Sequence, residues 1–288
     1  MKVLVTGVKG QLGHDVVKEL ARRGHDAVGI DVEEMDITDS VQVENFIQSV
    51  NPDAVIHCAA WTAVDKAEQC PDKVYEVNSF GAKYIAESCK KIGAKMVFIS
   101  TDYVFEGVGD KPYNPSDERK GLSVYGKSKI KGEDFVTAAL DNYFIVRTTW
   151  VFGVNGGNFV KTMLNLAAAG KTELNVVNDQ IGSPTYTVDL ARLLVDMAES
   201  DKYGVYHATN DGYCSCYEFA CEIFKQAGKS VKINPVTTEQ YLKLVPSQAR
   251  RPLNSRLDKS KLSENGFSPL PPWKDALRRY LKEVDICE

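Results

Sequence analysis

The chain has 288 residues, of which 43% are hydrophobic and 26% charged, the profile of a soluble globular protein with one large or two modest domains. Its 35 Lys+Arg against 39 Asp+Glu leave a net charge of -4 with no basic run, which argues against nucleic acid or an anionic membrane surface as partner. No apolar stretch nears the ~20 residues of a spanning helix, and Val3-Leu4-Val5 falls short of the roughly 7–15 apolar residues of an export signal.

The first 150 residues alternate short apolar runs with helical patterns. Lys2–Thr6 predicts a strand, and Leu12, Val16, Val17, Leu20 and Ala21 predict a helix. A second strand follows at Ala27–Ile30. Asp39 or Ser40 can cap a helix carrying Val41, Val43, Phe46, Ile47 and Val50, which Asn51-Pro52 ends. Ala54–Cys58 is a third strand, and one long helix is expected from Val74 to about Ile92, closed by Gly93. Met96–Ile99 and Phe144–Val146 are further strands, separated by a long loop and a helix near Tyr125–Leu140. Such alternation predicts an α/β fold, a Rossmann-type doubly wound parallel sheet covered on both faces.

After Trp150 the rhythm changes. Helices are expected at Phe159–Ala169 and Val188–Met197, a strand at Val205–His207, and small helices joined by loops beyond Asp211. The predicted organisation is a dinucleotide-binding domain from residues 1–152 plus about 186–209. A smaller, mainly C-terminal substrate domain takes about 153–185 plus 210–288. Seven scattered cysteines, an odd number, read as reduced thiols in the cytoplasm. Cys214, Cys216 and Cys221 lack a second cysteine pair, so they read as small buried thiols behind a helix start at Ser215.

Gly7-Val8-Lys9-Gly10-Gln11-Leu12-Gly13 lies between the first strand and the first helix. There Gly7 suits a tight turn, Gly10 a close approach to pyrophosphate, and Gly13 close helix packing, with the helix N-terminus favouring negative charge. Asp31 ends the second strand, 18 residues past Gly13. A carboxylate there can bond the adenosine ribose and repels a 2′-phosphate, which favours NADH over NADPH.

Thr101 follows the Met96–Ile99 strand, at the carboxyl end where such sheets bind ligands. Tyr125 and Lys129, four residues apart, share one helix face. This set suits carbonyl reduction: Tyr125 gives a proton to the developing alkoxide, Lys129 lowers the phenol pKa and holds the nicotinamide ribose, and Thr101 fixes the carbonyl oxygen. The 17-residue segment Glu106–Leu122 joins the two elements. Loops that long are generally functional or disordered, so it is expected to be mobile and to close over a bound ligand; the alternative is a rigid loop packed by Tyr113 and Leu122.

The sequence resembles the extended short-chain dehydrogenases/reductases, and within them the dTDP-4-dehydrorhamnose reductase family. Gly7–Gly13, the stretch Ala59–Glu68 and the run Ser100-Thr101-Asp102-Tyr103-Val104-Phe105 carry the resemblance. So do Tyr125-Gly126-Lys127-Ser128-Lys129, Arg147–Phe152, Asn158–Met163, Asn178-Asp179-Gln180, Gly182 and Pro184-Thr185. It implies reduction of the C4 keto group of a dTDP-linked 4-dehydro-6-deoxy sugar by NADH or NADPH, with Thr101, Tyr125 and Lys129 catalytic. By the same resemblance Gly10, Gln11 and Leu12 hold pyrophosphate, Asp36 and Ile37 lie by the adenine, and Ala59, Ala60 and Trp61 run beside the cofactor.

Asp102 and Trp150 are the implied sugar contacts. Arg251, with Arg250 as the alternative, is the contact to the diphosphate. A homodimer is left open. Some members bridge it through Mg²⁺ using a Glu early in the first helix, but the matching residue here is Asp15, and no metal is assigned. The same resemblance leaves two other readings: a sugar-nucleotide epimerase or dehydratase, and a non-catalytic subunit like the regulatory subunit of methionine adenosyltransferase.

Overall fold

Val3 and Val5 point to one face of the first strand and Leu4 to the other, and all three are fully buried. A strand apolar on both sides belongs in the middle of a covered sheet. In the computed structural model, which describes residues 1–245 and 249–284, it is there. β1 (Lys2–Thr6) pairs with β2 (Asp26–Ile30) on one side and β3 (Ala54–His57) on the other. Beyond β3 come β4 (Lys95–Thr101), β5 (Tyr143–Thr148) and the edge strand Gly204–His207, all parallel. The chain thus winds one way from β1 to β2 and reverses to β3. That reversal opens a crevice at the strands' carboxyl ends.

Leu12, Val16 and Leu20 of α1 (Gln11–Arg22) cover one face of the sheet together with Leu190 and Leu194. Val43 and Ile47 of α2 (Ser40–Val50), with Ile85, Cys89 and Val136, cover the other. Asp39 is the α2 cap, accepting from the Val41 and Gln42 N–H groups. The later segments gather around a third core that includes Phe152, Tyr186, Phe219, Trp273 and Tyr280. Ser215 starts the helix Cys216–Gln226 with a capping box to Glu218, as its position suggested. The six described cysteines are free, and Cys287 lies outside the described residues. No helix among the described residues is long and apolar enough to cross a membrane.

Three expectations change. The long helix from Val74 is interrupted: Pro71–Tyr75 and Gly81–Ile92 are α-helical, and Glu76–Phe80 between them is a π turn. The wide turn brings Asn78 inward, where its Oδ1 accepts from Trp61 N–H at 2.7 Å and its amide donates to Trp61 O and Ser128 Oγ. A parallel pair, Glu173–Val177 with Lys232–Val236, was not foreseen, because charged ends and Pro235 masked the strand pattern.

The Glu106–Leu122 segment is tied down rather than free. Gly107 O accepts from Leu253 and Asn254 N–H, Tyr113 exchanges backbone bonds with Arg256 and Asp258, and its ring stacks on Phe105 at 4.4 Å. Arg147 Nη1 donates to Pro115 O, and Arg119 bonds Glu133 and Asp134. Tyr113 is the anchor; Leu122 stays exposed. The apolar content of a loop was a poor guide because backbone and charged groups hold this one.

Candidate active site

Residues at the strands' carboxyl ends and in the loops that follow them line one cleft of about 870 Å³, running from the glycine loop to Lys129 and Arg251. At its first end Gly7 turns with φ 73°, which favours glycine. A Cβ on Gly13 would stand 2.4 Å from Gly7 O, so only glycine lets α1 start this close to the loop. Gly10 caps α1 without any side-chain bond, and the first turn carries no acid. Gln11, Leu12 and Gly13 therefore present uncapped backbone N–H groups beside the cleft, a ready seat for an anion.

Asp31 Oδ2 accepts from Lys9 N–H at 3.0 Å and Oδ1 from Val32 N–H at 2.9 Å, so this carboxylate braces the loop as well as lining the cleft. Lys9 itself pairs outward with Glu33 at 2.6 Å. Asp36 and Ile37 also line the cleft, as do Ala59 and Ala60. Trp61 does not. Its backbone is clamped by Asn78 and its indole N–H donates to Ala63 O, which fixes its position just outside the cleft lining.

At the other end Thr101, Asp102, Tyr125 and Lys129 come together. Ser123 caps the helix Val124–Ala139 through Gly126 N–H, which sets Tyr125 in its first turn. Burial pushes the Tyr125 phenol up to about 12, against a downward pull from the Thr101 hydroxyl, with the Asp102 charge adding to the rise. Lys129, 2% exposed and 4.0 Å over the Phe98 ring, is pushed down to about 7 by burial, against an upward pull from Glu133. Lys129 is expected to lower the phenol, but burial is the largest influence on both groups and outweighs any such pull.

Asp102 is 3% exposed, and its two oxygens are held by the Thr101 and Ser255 hydroxyls. Burial raises it to about 6. It therefore borders the cleft with its carboxylate already engaged.

Trp150 takes a left-handed φ of 49°, an uncommon strain for a large residue, and its indole lies where a Cβ on Gly182 would sit. The Arg250/Arg251 choice resolves: Arg251 lines the cleft while Arg250 is exposed. Arg251 Nη2 bonds Asp65 at 3.1 Å, and its buried Nε has no partner among the described residues. The Thr148 hydroxyl on the same cleft is likewise unpartnered. Asp15 is buried and accepts from Thr187, and among the described residues no cluster of three or more His, Cys, Asp or Glu could hold a metal.

Sequence reasoning gave Asn78, which has no motif of its own, no role, and read Asn155-Gly156-Gly157-Asn158 as a loop without placing it against the glycine turn. Gln11 Oε1 accepts from Gly153 N–H and from Asn158, and Asn155 donates to Lys9 O, so this loop wraps the glycine turn. The Asn-Gly-Gly-Asn run was the available signal.

The family model described as RmlD substrate binding domain matches residues 1–286. The spore coat polysaccharide biosynthesis protein SpsK of Bacillus subtilis is 44% identical over 282 residues, covering 98% of this chain and 97% of its own. A dTDP-4-dehydrorhamnose reductase structure from Clostridium acetobutylicum matches at 43% identity, TM-score 0.94 and 99% coverage of each chain. Another from Bacillus anthracis, in complex with NADP, matches at 41%, TM-score 0.93 and 99% of each chain.

The depressed Lys129 value carries a stability prediction. Between about 7 and its ordinary 10.5 the unfolded chain binds a proton that the folded chain has lost, so this group makes stability rise with pH across that window. Lys129→Met removes the contribution. In urea denaturation the variant should be more stable than the parent at pH 7, with the gap closing toward pH 10; a gap independent of pH would contradict the assignment.

Proposed function

The chain belongs to the RmlD substrate-binding-domain family, and we propose on that premise that it reduces the C4 keto group of dTDP-4-dehydrorhamnose to give dTDP-L-rhamnose. The observation that carries the reading is the joining, in one cleft, of an uncapped helix N-terminus at one end with Thr101, Tyr125 and Lys129 at the other. Near full-length identity of about 40% to two reductases supports reduction over epimerisation or dehydration. The intact Thr101, Tyr125 and Lys129 speak against a non-catalytic subunit.

The residues present fit a nicotinamide dinucleotide. The α1 N-terminus takes its pyrophosphate, Asp31 faces the adenosine ribose, and Asp36 and Ile37 lie at the adenine end. When bound in reduced form it supplies a hydride to the C4 carbonyl carbon. Thr101 donates to the carbonyl oxygen and positions it. Tyr125, loaded with its proton throughout the physiological range, gives that proton to the oxygen as negative charge develops there. Lys129 holds the nicotinamide ribose and places a positive charge under the reacting oxygen.

Trp150 offers an apolar face to the deoxysugar ring. Arg251, with a free Nε and a planar fork, takes the diphosphate. Asp102 fixes Thr101. A division into a sheet domain (1–152 plus about 186–209) and a substrate domain (about 153–185 plus 210–288) is supported by the third core, drawn mainly from the second set, although Leu262, Phe267 and Leu270 of that set join the sheet's core. The free thiols support a cytoplasmic location. Asp15 does not fit a metal bridge, since its carboxylate is turned inward, and no step uses a metal.

Two outcomes test this reading. Tyr125→Phe should lower turnover about 10²–10⁴-fold, read as loss of nicotinamide absorbance with dTDP-4-dehydrorhamnose, while cofactor binding persists; a variant keeping half of the parent's turnover contradicts the proton-donor role. Asp31 favours NADH. Asp31→Ala should raise the NADPH/NADH efficiency ratio by removing charge near the 2′-position, and an unchanged ratio would mean that Asp31 only braces the loop.

A further inference from the structure

Tyr125, Lys129 and Glu133 follow at intervals of four along one helix, so they form a column on one face. The third member has no place in the reaction described above, yet it is 1% exposed and fully engaged. Its Oε1 accepts from Ser100 Oγ at 2.5 Å and Arg147 Nε at 2.9 Å. Its Oε2 accepts from Arg147 Nη2 at 2.7 Å and Arg119 Nη1 at 3.0 Å. Two oxygens with four donors leave no free acceptor. Burial works against the charge, but the Arg147 fork, with Ser100 and Arg119, overrides it and holds the carboxyl below its usual range.

Glu133 is therefore a fixed negative charge one helical turn along from Lys129. The other ionisable groups facing Lys129 are His57 and Cys58 at the end of β3. Burial holds the first neutral, pushing it down to about 3, and the second neutral, pushing it up to about 12. Tyr125 on its own helix is a neutral phenol at working pH. Among the described residues Glu133 supplies the main counter-charge that favours the ammonium form of Lys129.

We propose that Glu133 is a positioning residue for the reductase reaction: through its field it favours the charged form of Lys129 against the pull of burial, and Arg119 and Arg147 set how much of that field reaches the cleft. The inference rests on the reductase reading for its consequence, but not for its physics. Arg119 comes from the Glu106–Leu122 segment, so the loop first expected to be a lid acts here as a regulator of cleft charge. Removing the carboxylate and removing a cation beside it must move Lys129 in opposite directions. A purely structural role predicts no such opposition.

The test is the titration of Lys129 in the full-length protein, followed by ¹³Cε NMR and assigned by the signal lost in Lys129→Arg, alongside the pH profile of kcat/KM. Glu133→Gln should shift the Lys129 midpoint and the basic limb of the profile down by about one pH unit or more. Arg119→Ala, at a half-exposed side chain, should shift both upward. If Glu133→Gln fails to fold, the Arg119→Ala shift decides alone. Unmoved midpoints with merely reduced activity overturn the proposal. Absence of turnover in the parent protein would instead bring down the reductase reading, leaving the NMR midpoints to decide the role of Glu133.

Discussion

One buried carboxylate fixes the geometry of the cleft's reactive end. Glu133 joins β4 through Ser100, the residue before Thr101; β5 through Arg147, three residues before Trp150; its own helix, which carries Tyr125 and Lys129; and the Glu106–Leu122 segment through Arg119. Each of these elements could slide by an ångström against its neighbours if apolar packing alone held them. A carboxylate with four donors cannot follow such a slide without stranding a charge, and breaking a buried pair costs about 3–5 kcal/mol. The network is thus weak evidence for stability and strong evidence for a single arrangement of Thr101, Tyr125 and Lys129.

The two ends of the cleft have opposite electrostatic demands. The α1 end is built from backbone, with uncapped N–H groups that suit an anion and Asp31 bracing the turn. The reactive end is dry: Asp102, Tyr125 and Lys129 are each moved by burial toward their neutral forms. Dry surroundings make each remaining charge act further, so the Glu133 field and the orientation of Thr101 count for more there than in water. The left-handed backbone at Trp150, wedged over Gly182, places a strained residue on the cleft wall, where such strain tends to cluster.

Much of this was legible in the chain. The alternation of strands and helices yielded the parallel sheet, and the spacing of Gly7, Gly10 and Gly13 marked the tight turn that opens α1 beside the cleft. Tyr125 and Lys129 stood out by a four-residue interval and Thr101 by its strand end. What escaped depends on tertiary contacts. The π turn at Glu76–Phe80 exists because Asn78 must reach Trp61 and Ser128, which no local propensity encodes. Ala59 and Ala60 line the cleft while Trp61 beside them is turned to Asn78 and Ala63, a difference that no local pattern encodes. The Glu106–Leu122 segment looked mobile because its anchors, Arg256, Asp258, Glu133 and Arg147, are distant in sequence. The effect of Lys129 on the phenol was misjudged since spacing reports proximity but not burial.

The central claim is that hydride reaches the sugar C4 from a bound nicotinamide while the proton comes through Tyr125. The most direct measurement is the fate of deuterium carried at the transferable C4 position of the reduced nicotinamide, with dTDP-4-dehydrorhamnose as substrate and the product read by NMR. The account predicts one deuterium at C4 of dTDP-L-rhamnose for each cofactor oxidised. Product without cofactor oxidation, or with C4 hydrogen drawn from solvent, would contradict it.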